Sequence, residues 1–484
     1  MDLKQITRRS FLQNLGVGFV SLLLGGKHQL FGKRPMQPNR RPNIIFILAD
    51  DLGWSELGCY GNTFNETPNL DRLAQQGMRF TQAYAAAPVC SPYRAALMTG
   101  MYPARLGITD YLRPNDPKHL QPETTTIAEQ LKRAGYTTGI IGKWHLTGYA
   151  KRGAKEIPPK AHGFDETIIS ENVGIGGGSY FHPYHFNTDI KKRLPGKEYL
   201  VDRCDLEAVE FIERHKDSPF FLFLSHYAVH TRLVGKPELV DHFERKAGAG
   251  KGDRAKKNNP HLAAQLKSID DGVGMIVRKL EELNLTQDTV LIFTSDNGGE
   301  DRVTTNAPLR AGKSTLYEGG IREPLIVRYP KMVPAGTRCE IPVCNVDFYP
   351  TFCEFAQIDL ERDPNLDGVS IRPLLRNPEI TLPRDTFYWH YPLAKPHFLG
   401  GRSAGAIRKG DWKLIEFFDT GELELYNLSQ DPGETKNLSG TLPKKTTELK
   451  QDLLQWRKTL GITIPADCRS YDPKAPGGKK QRKK

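Results

Sequence analysis

Asn43-Ile44-Ile45-Phe46-Ile47-Leu48-Ala49-Asp50-Asp51 is the stretch on which the fold turns. Its apolar run is too short to span a membrane and too continuous for a strand with one wet face, so it reads as a strand covered on both sides. Comparable runs recur at 137–141, 220–225, 290–294 and 324–327, each between helical segments. One helix is expected over 68–76, with Thr67 as cap, Pro68 in the first turn and Gly77 as stop. Another is expected over 127–134, between Thr126 and Gly135. Strands alternating with helices give an α/β class with a large, mainly parallel sheet flanked by helices. In such sheets ligands collect beyond the carboxyl ends of the strands, so the residues just after each run are the first candidates for chemistry.

After about residue 380 the pattern changes. Residues 406–417 and 422–428 alternate as half-exposed antiparallel strands joined by a turn at Asp419-Thr420-Gly421, and a helix over 444–460 follows. This gives a smaller C-terminal α+β subdomain containing an antiparallel sheet. The expected division is an export signal and linker at 1–39, a catalytic domain at 40–380, the subdomain at 381–470 and a basic disordered tail at 471–484.

At 484 residues, 38% hydrophobic and 26% charged, the chain can bury a sizeable core, which excludes a disordered, collagen-like or coiled-coil protein. The net charge of +12 belongs to the two ends: residues 1–41 carry eight basic groups and one acid, and 474–484 carry six basic groups and no acid. Residues 42–473 are close to neutral, so no nucleic-acid partner is expected. Thr7-Arg8-Arg9-Ser10-Phe11-Leu12 precedes a Gly-containing apolar run at 15–24 and resembles a twin-arginine export signal. That implies the twin-arginine machinery as a partner and an exported, periplasmic or secreted bacterial protein. No later run reaches about 18 uninterrupted apolar residues, so no stable membrane span is expected in the mature chain. The seven cysteines, at 59, 90, 204, 339, 344, 353 and 468, include no Cys-x-x-Cys pair, which argues against a zinc site or a disulfide scaffold.

The first strand ends in Asp50-Asp51, and the run near 290 leads into Ser295-Asp296-Asn297-Gly298. Three carboxylates and an amide oxygen on one rim are hard ligands suited to Ca²⁺, ahead of Mg²⁺. Each pair alone serves equally well as a helix or turn cap. Cys90-Ser91-Pro92-Tyr93-Arg94 opens a short helix, a position that favours an anion and is expected to lower a thiol's pKa.

Cys-x-Pro-x-Arg followed by Leu97-Met98-Thr99-Gly100 resembles the signature of the type I, formylglycine-dependent sulfatases of the alkaline phosphatase superfamily. Lys143-Trp144-His145 resembles the family's second signature, with a departure at Thr147. Asp50-Asp51 and Asp296-Asn297 match its calcium pairs, His230 its histidine after a core strand, and Lys313 its late lysine. The resemblance implies that a formylglycine-generating, or sulfatase-maturating, enzyme converts Cys90 to formylglycine, whose hydrate is the nucleophile. Residue 90 would join Asp50, Asp51, Asp296 and Asn297 around the calcium. Arg94, Lys143 and Lys313 would neutralise the sulfate, His230 and Lys313 would serve the leaving oxygen, and His145 would be the base that lets the sulfated hydrate collapse.

The twin-arginine route carries folded proteins, so maturation can precede export. A sulfated carbohydrate, desulfated from its end, is the substrate the resemblance implies. Candidate sugar contacts are His182 and His185 in a Gly-aromatic stretch from 174, Arg302, and His390 in Tyr388-Trp389-His390-Tyr391-Pro392. Two rivals are a phosphonate monoester or phosphodiester hydrolase of the same superfamily and a non-catalytic sulfated-glycan-binding protein.

Overall fold

The computed structural model describes residues 41–113, 116–147, 157–172, 179–360 and 365–469. The export segment, the basic tail and the glycines at 174–178 lie outside the described residues. Nine described strands form one sheet: β1 (Asn43–Ala49), β2 (Met78–Tyr84), β3 (Thr137–Gly142), β4 (Glu166–Ile168), β5 (Phe220–Ser225), β6 (Thr289–Ser295), β7 (Arg322–Arg328), β8 (Thr337–Cys339) and β9 (Val343–Cys344). Their order is β4-β3-β5-β1-β6-β7-β2-β8, with β9 beside β2. All five apolar runs are strands of this sheet.

β1 sits centrally, parallel to β5 and β6. Ile44, Phe46 and Leu48 enter one core and Ile45, Ile47 and Ala49 the other, which is why the run has no polar alternation. One core is closed by the helices Cys90–Thr99, Ile127–Arg133 and Phe348–Phe355, the other by Pro68–Gln75, Leu200–Arg214 and Pro260–Glu282. Thr126 caps its helix in a capping box with Glu129. Thr67 does not cap in the expected way: its hydroxyl accepts from the Gly58 amide and donates to Asp71.

Strand β7 runs antiparallel to both neighbours. Between β6 and β7 the chain contains only the four-residue helix Glu318–Ile321, so it never crosses back to the start of β6. β7 therefore begins at the rim where β6 ended, and residues 296–321 stay on that rim.

The second sheet is a meander of β10 (Thr386–Tyr391), β11 (Ala404–Lys409), β12 (Trp412–Phe417) and β13 (Leu423–Asn427). The expected single strand over 406–417 is two strands. Lys409 pairs with Trp412 across the two-residue loop Gly410-Asp411, and Gly410 takes φ +57°, the left-handed value that such a hairpin needs at its first loop position. The helix Pro443–Thr459 covers one face through Leu449 and Leu453, packed with Ile407, Leu414 and Leu425.

A buried polar clamp joins the two sheets. Lys413 Nζ lies 2.9 Å from Glu318 Oε1 and 2.9 Å from Glu434 Oε1, with all three side chains fully buried. Tyr84 donates to Glu318 Oε2 at 2.6 Å, and the Glu318 amide donates to Glu434 Oε2 at 2.6 Å. The clamp fixes the end of the rim segment that carries Lys313. Removing the shared cation leaves two buried carboxylates facing each other. Lys413→Met is expected to cost about 3–5 kcal/mol in urea unfolding. Lys409→Met, which removes a half-exposed pair with Asp452, should cost under about 1 kcal/mol.

Candidate active site

Side-by-side pairing of Ala49 with Ser295 delivers Asp50 and Asp296 to neighbouring strand ends. Asp51 follows at φ +61°, and its amide donates to Asp296 Oδ1 at 3.1 Å. Asn297 Nδ2 donates to Asp51 Oδ1 at 2.9 Å. The helix Cys90–Thr99 points its first residue at this corner, with Cys90 Sγ 3.5 Å from Asp50 Oδ1. One ligand atom from each of Asp50, Asp51, Cys90 and Asp296 lies within 4.8 Å of the others.

Each carboxylate has its own cation. Lys143 Nζ is 2.6 Å from Asp50 Oδ2, Lys313 Nζ is 2.6 Å from Asp51 Oδ2, and Arg94 Nη2 is 2.8 Å from Asp296 Oδ2. Arg94 is held further by the Lys143 carbonyl at 2.9 Å and Ser225 Oγ at 2.6 Å. Burial and then the Asp296 charge push the Asp50 carboxyl up, against Lys143. Burial alone would raise Asp51 and Asp296 too, but Lys313 and Arg94 respectively hold them below the usual carboxylate range.

This donor set fits a divalent cation. Three buried carboxylates converge, and Asn297 Oδ1 is a buried acceptor without a hydrogen-bond partner among the described residues. Oxygen-rich ligation of this kind suits calcium or magnesium and not zinc. The thiol differs from the sequence expectation: burial, opposed by Lys143 and Lys313, pushes Cys90 up to about 12, so the helix N-terminus does not yield a thiolate.

The two histidines have defined tautomers. His145 Nε2 faces the Leu112 carbonyl at 3.1 Å and must carry the proton there, leaving Nδ1 as the basic nitrogen. Burial and then Lys143 pull its pKa well down. His230 Nδ1 faces the Thr231 carbonyl at 2.7 Å, and Nε2 lies 3.7 Å from Asp51 Oδ2. Burial and then Lys313 pull His230 down to about 4.

The family model described as Sulfatase matches residues 42–358, and one described as N-sulphoglucosamine sulphohydrolase, C-terminal, matches 311–459. The chain belongs to the sulfatase family. Human arylsulfatase A is 34% identical over 474 residues, covering 86% of this chain and 87% of its own. The N-acetylgalactosamine-6-O-sulfatase of Bacteroides thetaiotaomicron is 32% identical, covering 90% and 97%. Among solved structures, Ps i-CgsB in complex with k-i-k-neocarrahexaose superposes with a TM-score of 0.75 at 31% identity, covering 88% of this chain and 94% of that one. This sulfatase is accordingly a sulfuric ester hydrolase with an α/β fold of the alkaline phosphatase superfamily.

The ten polar side chains named for catalysis and metal binding converge on one rim, whereas the four proposed sugar contacts scatter. His182 Nε2 meets the Ile190 carbonyl at 3.1 Å, and its ring abuts Tyr184. His185 is exposed on the same loop. His390 points to the opposite side of β10 from Trp389 and Tyr391, packing on Phe418 at 5.4 Å. Strand alternation therefore turns it toward the subdomain interior. Arg302 pairs with Glu300 at 3.0 Å and stacks on Phe398 at 5.0 Å.

Two supporting residues were not singled out in the sequence. Glu171 accepts from the Trp144 amide at 3.0 Å, from the His145 amide, and from Tyr227 Oη at 2.7 Å, fixing the Lys143-Trp144-His145 backbone. Ser225 closes β5 and anchors Arg94. Both stand at or just beyond strand ends, where the same rule that selected Asp50 applies; the brevity of β4 hid Glu171. Ser225→Ala removes a fully buried bond to a charged group and is expected to cost about 1–3 kcal/mol in urea unfolding.

Proposed function

We propose that this sulfatase removes sulfate from a sulfated carbohydrate, using formylglycine formed from Cys90 and a calcium ion, ahead of magnesium, held by Asp50, Asp51, Asp296 and Asn297. The observation that carries the reading is the contact of residue 90 with Asp50 at the centre of three buried acids and three buried cations. Support for the substrate class comes from a relative named for a sulfated sugar, the bacterial N-acetylgalactosamine-6-O-sulfatase, and from the solved structure in complex with k-i-k-neocarrahexaose.

When present, calcium supplies a Lewis acid beside residue 90 and the hydrated aldehyde supplies a geminal diol as nucleophile. The chain's own residues do the rest. Arg94, locked by Asp296, Ser225 and a backbone carbonyl, is a fixed positive group that needs no reorganisation. Lys143 and Lys313 keep their protons despite burial, because carboxylates adjoin both, so they can donate to the non-bridging sulfate oxygens. Lys313 Nζ and His230 Nε2 both stand at Asp51 Oδ2, and we assign these two groups to the leaving oxygen. His145, neutral and with Nδ1 as its basic atom, is suited to accept a proton.

We read residues 40–380 as the catalytic unit and 381–470 as its smaller companion. Export by the twin-arginine route rests on the Arg8-Arg9 segment, and maturation of Cys90 would precede it. Among the described residues, no helix is long and apolar enough to cross a membrane.

Protein from its native host is expected to give a residue-90 peptide of aldehyde mass and to release sulfate from members of a panel of sulfated mono- and oligosaccharides. Cys90→Ala should lower that release about a thousandfold or more. Chelation should suppress it and added Ca²⁺ restore it. An intact thiol in fully active protein, or a preference for an aryl phosphodiester over an aryl sulfate, would contradict the reading.

A further inference from the structure

A cavity of about 560 Å³ opens between the loop after the Pro103–Leu106 helix and the loop after β10. The first wall is tied to the reaction centre through Leu112. Its amide donates to Ser91 Oγ at 3.0 Å, next to Cys90, and its carbonyl faces His145 Nε2 at 3.1 Å. The second wall carries His397 and Phe398. The His397 amide donates to the Gly401 carbonyl at 2.7 Å, and Gly401 lies so close to the Ser314 carbonyl that a Cβ would not fit, which places that wall against the residue next to Lys313.

His397 has the features of a binding residue that lacks its ligand. It is 93% buried, and its Nδ1 accepts the Leu399 amide at 3.2 Å, which leaves the ring proton on Nε2. That Nε2 is a buried donor without a partner among the described residues. A buried donor normally has an acceptor, and His397 lines the cavity, so a molecule bound there can supply one. Beside it Phe398 is 69% exposed, the most exposed large apolar side chain described, and Arg302 stacks on one face at 5.0 Å. A rigid exposed ring next to an unsatisfied donor suits a sugar, which offers an apolar face and hydroxyl or sulfate oxygens at its edge. Asp110, paired with Arg113 at 2.9 Å, adds an acceptor and a donor on the opposite wall, and Lys118 and Lys395 stand exposed at the rim.

We propose that this cavity is the glycan subsite of the enzyme, in which His397 Nε2–H donates to an oxygen of the sulfated sugar and Phe398 stacks on its ring, with the rim lysines favouring a substrate that carries a second anionic group. The proposal deepens the sulfated-carbohydrate reading and rests on it. It replaces His390, His182 and His185 as sugar contacts and retains Arg302 only as the support behind Phe398.

Binding separates this inference from the chemistry at residue 90. In a Cys90→Ala background, which cannot turn over, affinities for a panel of singly and doubly sulfated oligosaccharides are measured calorimetrically. The tightest ligand should bind at least tenfold more weakly after His397→Ala, with His397→Gln, which keeps an N–H donor, recovering most of the loss. Phe398→Ala, an exposed change that leaves the fold intact, should weaken it several-fold. Lys118→Ala with Lys395→Ala should weaken doubly sulfated ligands more than singly sulfated ones. Leu454→Ala, at an exposed site on the last helix, is the control and should change nothing. Affinities unchanged by His397→Ala and Phe398→Ala, or no binding by any panel member, would overturn the subsite. Loss of sulfate release by wild-type protein, with the binding pattern intact, would instead overturn the catalytic reading alone.

Discussion

Six charges buried at the carboxyl ends of β1, β3 and β6, on the helix Cys90–Thr99 and on the rim segment after β6 are the constraint to which the rest of the molecule answers. Asp50, Asp51 and Asp296 are each matched by one cation, Lys143, Lys313 and Arg94, with contacts of 2.6–2.8 Å. Such pairs add little stability, because removing both partners from water costs about as much as their attraction returns. Their value lies in a fixed field at one point. A hydrophobic sheet covered on both faces supplies the rigid, dry platform that keeps the field in place, and the parallel register of β1 and β6 brings acids far apart in sequence within bonding distance of one another.

The same constraint explains the path of residues 296–321. Staying on the rim instead of crossing the sheet, this segment brings Lys313 to Asp51 and then enters the buried clamp of Glu318, Lys413 and Glu434. The second sheet is thus tied to the first through charged groups, and it contributes the loop with His397 and Phe398 as one wall of the cavity. The acid and cation cluster lies at the rim of the first sheet, and the cavity that we propose as the sugar subsite is walled by a loop of the second.

Much of this is legible in the sequence because it depends on local pattern. A both-faces-buried strand needs unbroken apolar residues, and the acids that follow it are next in the chain, so Asn43 to Asp51 reveals both the sheet and two of the three clustered acids. β2 is not legible: Arg79, Thr81 and Gln82 interrupt it, and it bulges between Phe80 and Ala83. The hairpin at Gly410 is hidden because strand alternation continues across a two-residue loop without a shift of phase. His390 stands beside aromatic residues in the sequence, yet the phase of β10 turns it inward onto Phe418, while His397 takes its position from the loop after β10, which no local pattern dictates. The high pKa of Cys90 likewise follows from burial, which a helix N-terminus in the sequence does not reveal.

The central claim is that the acids at the ends of β1 and β6 form a divalent-ion site whose neighbour is residue 90. Anomalous-scattering crystallography of fully active protein from the native host tests it most directly. The account predicts a single calcium peak within oxygen-bonding distance of Asp50, Asp51, Asp296 and Asn297 Oδ1, with no sulfur peak at residue 90. A sulfur peak there, with no metal among the four residues, would contradict it.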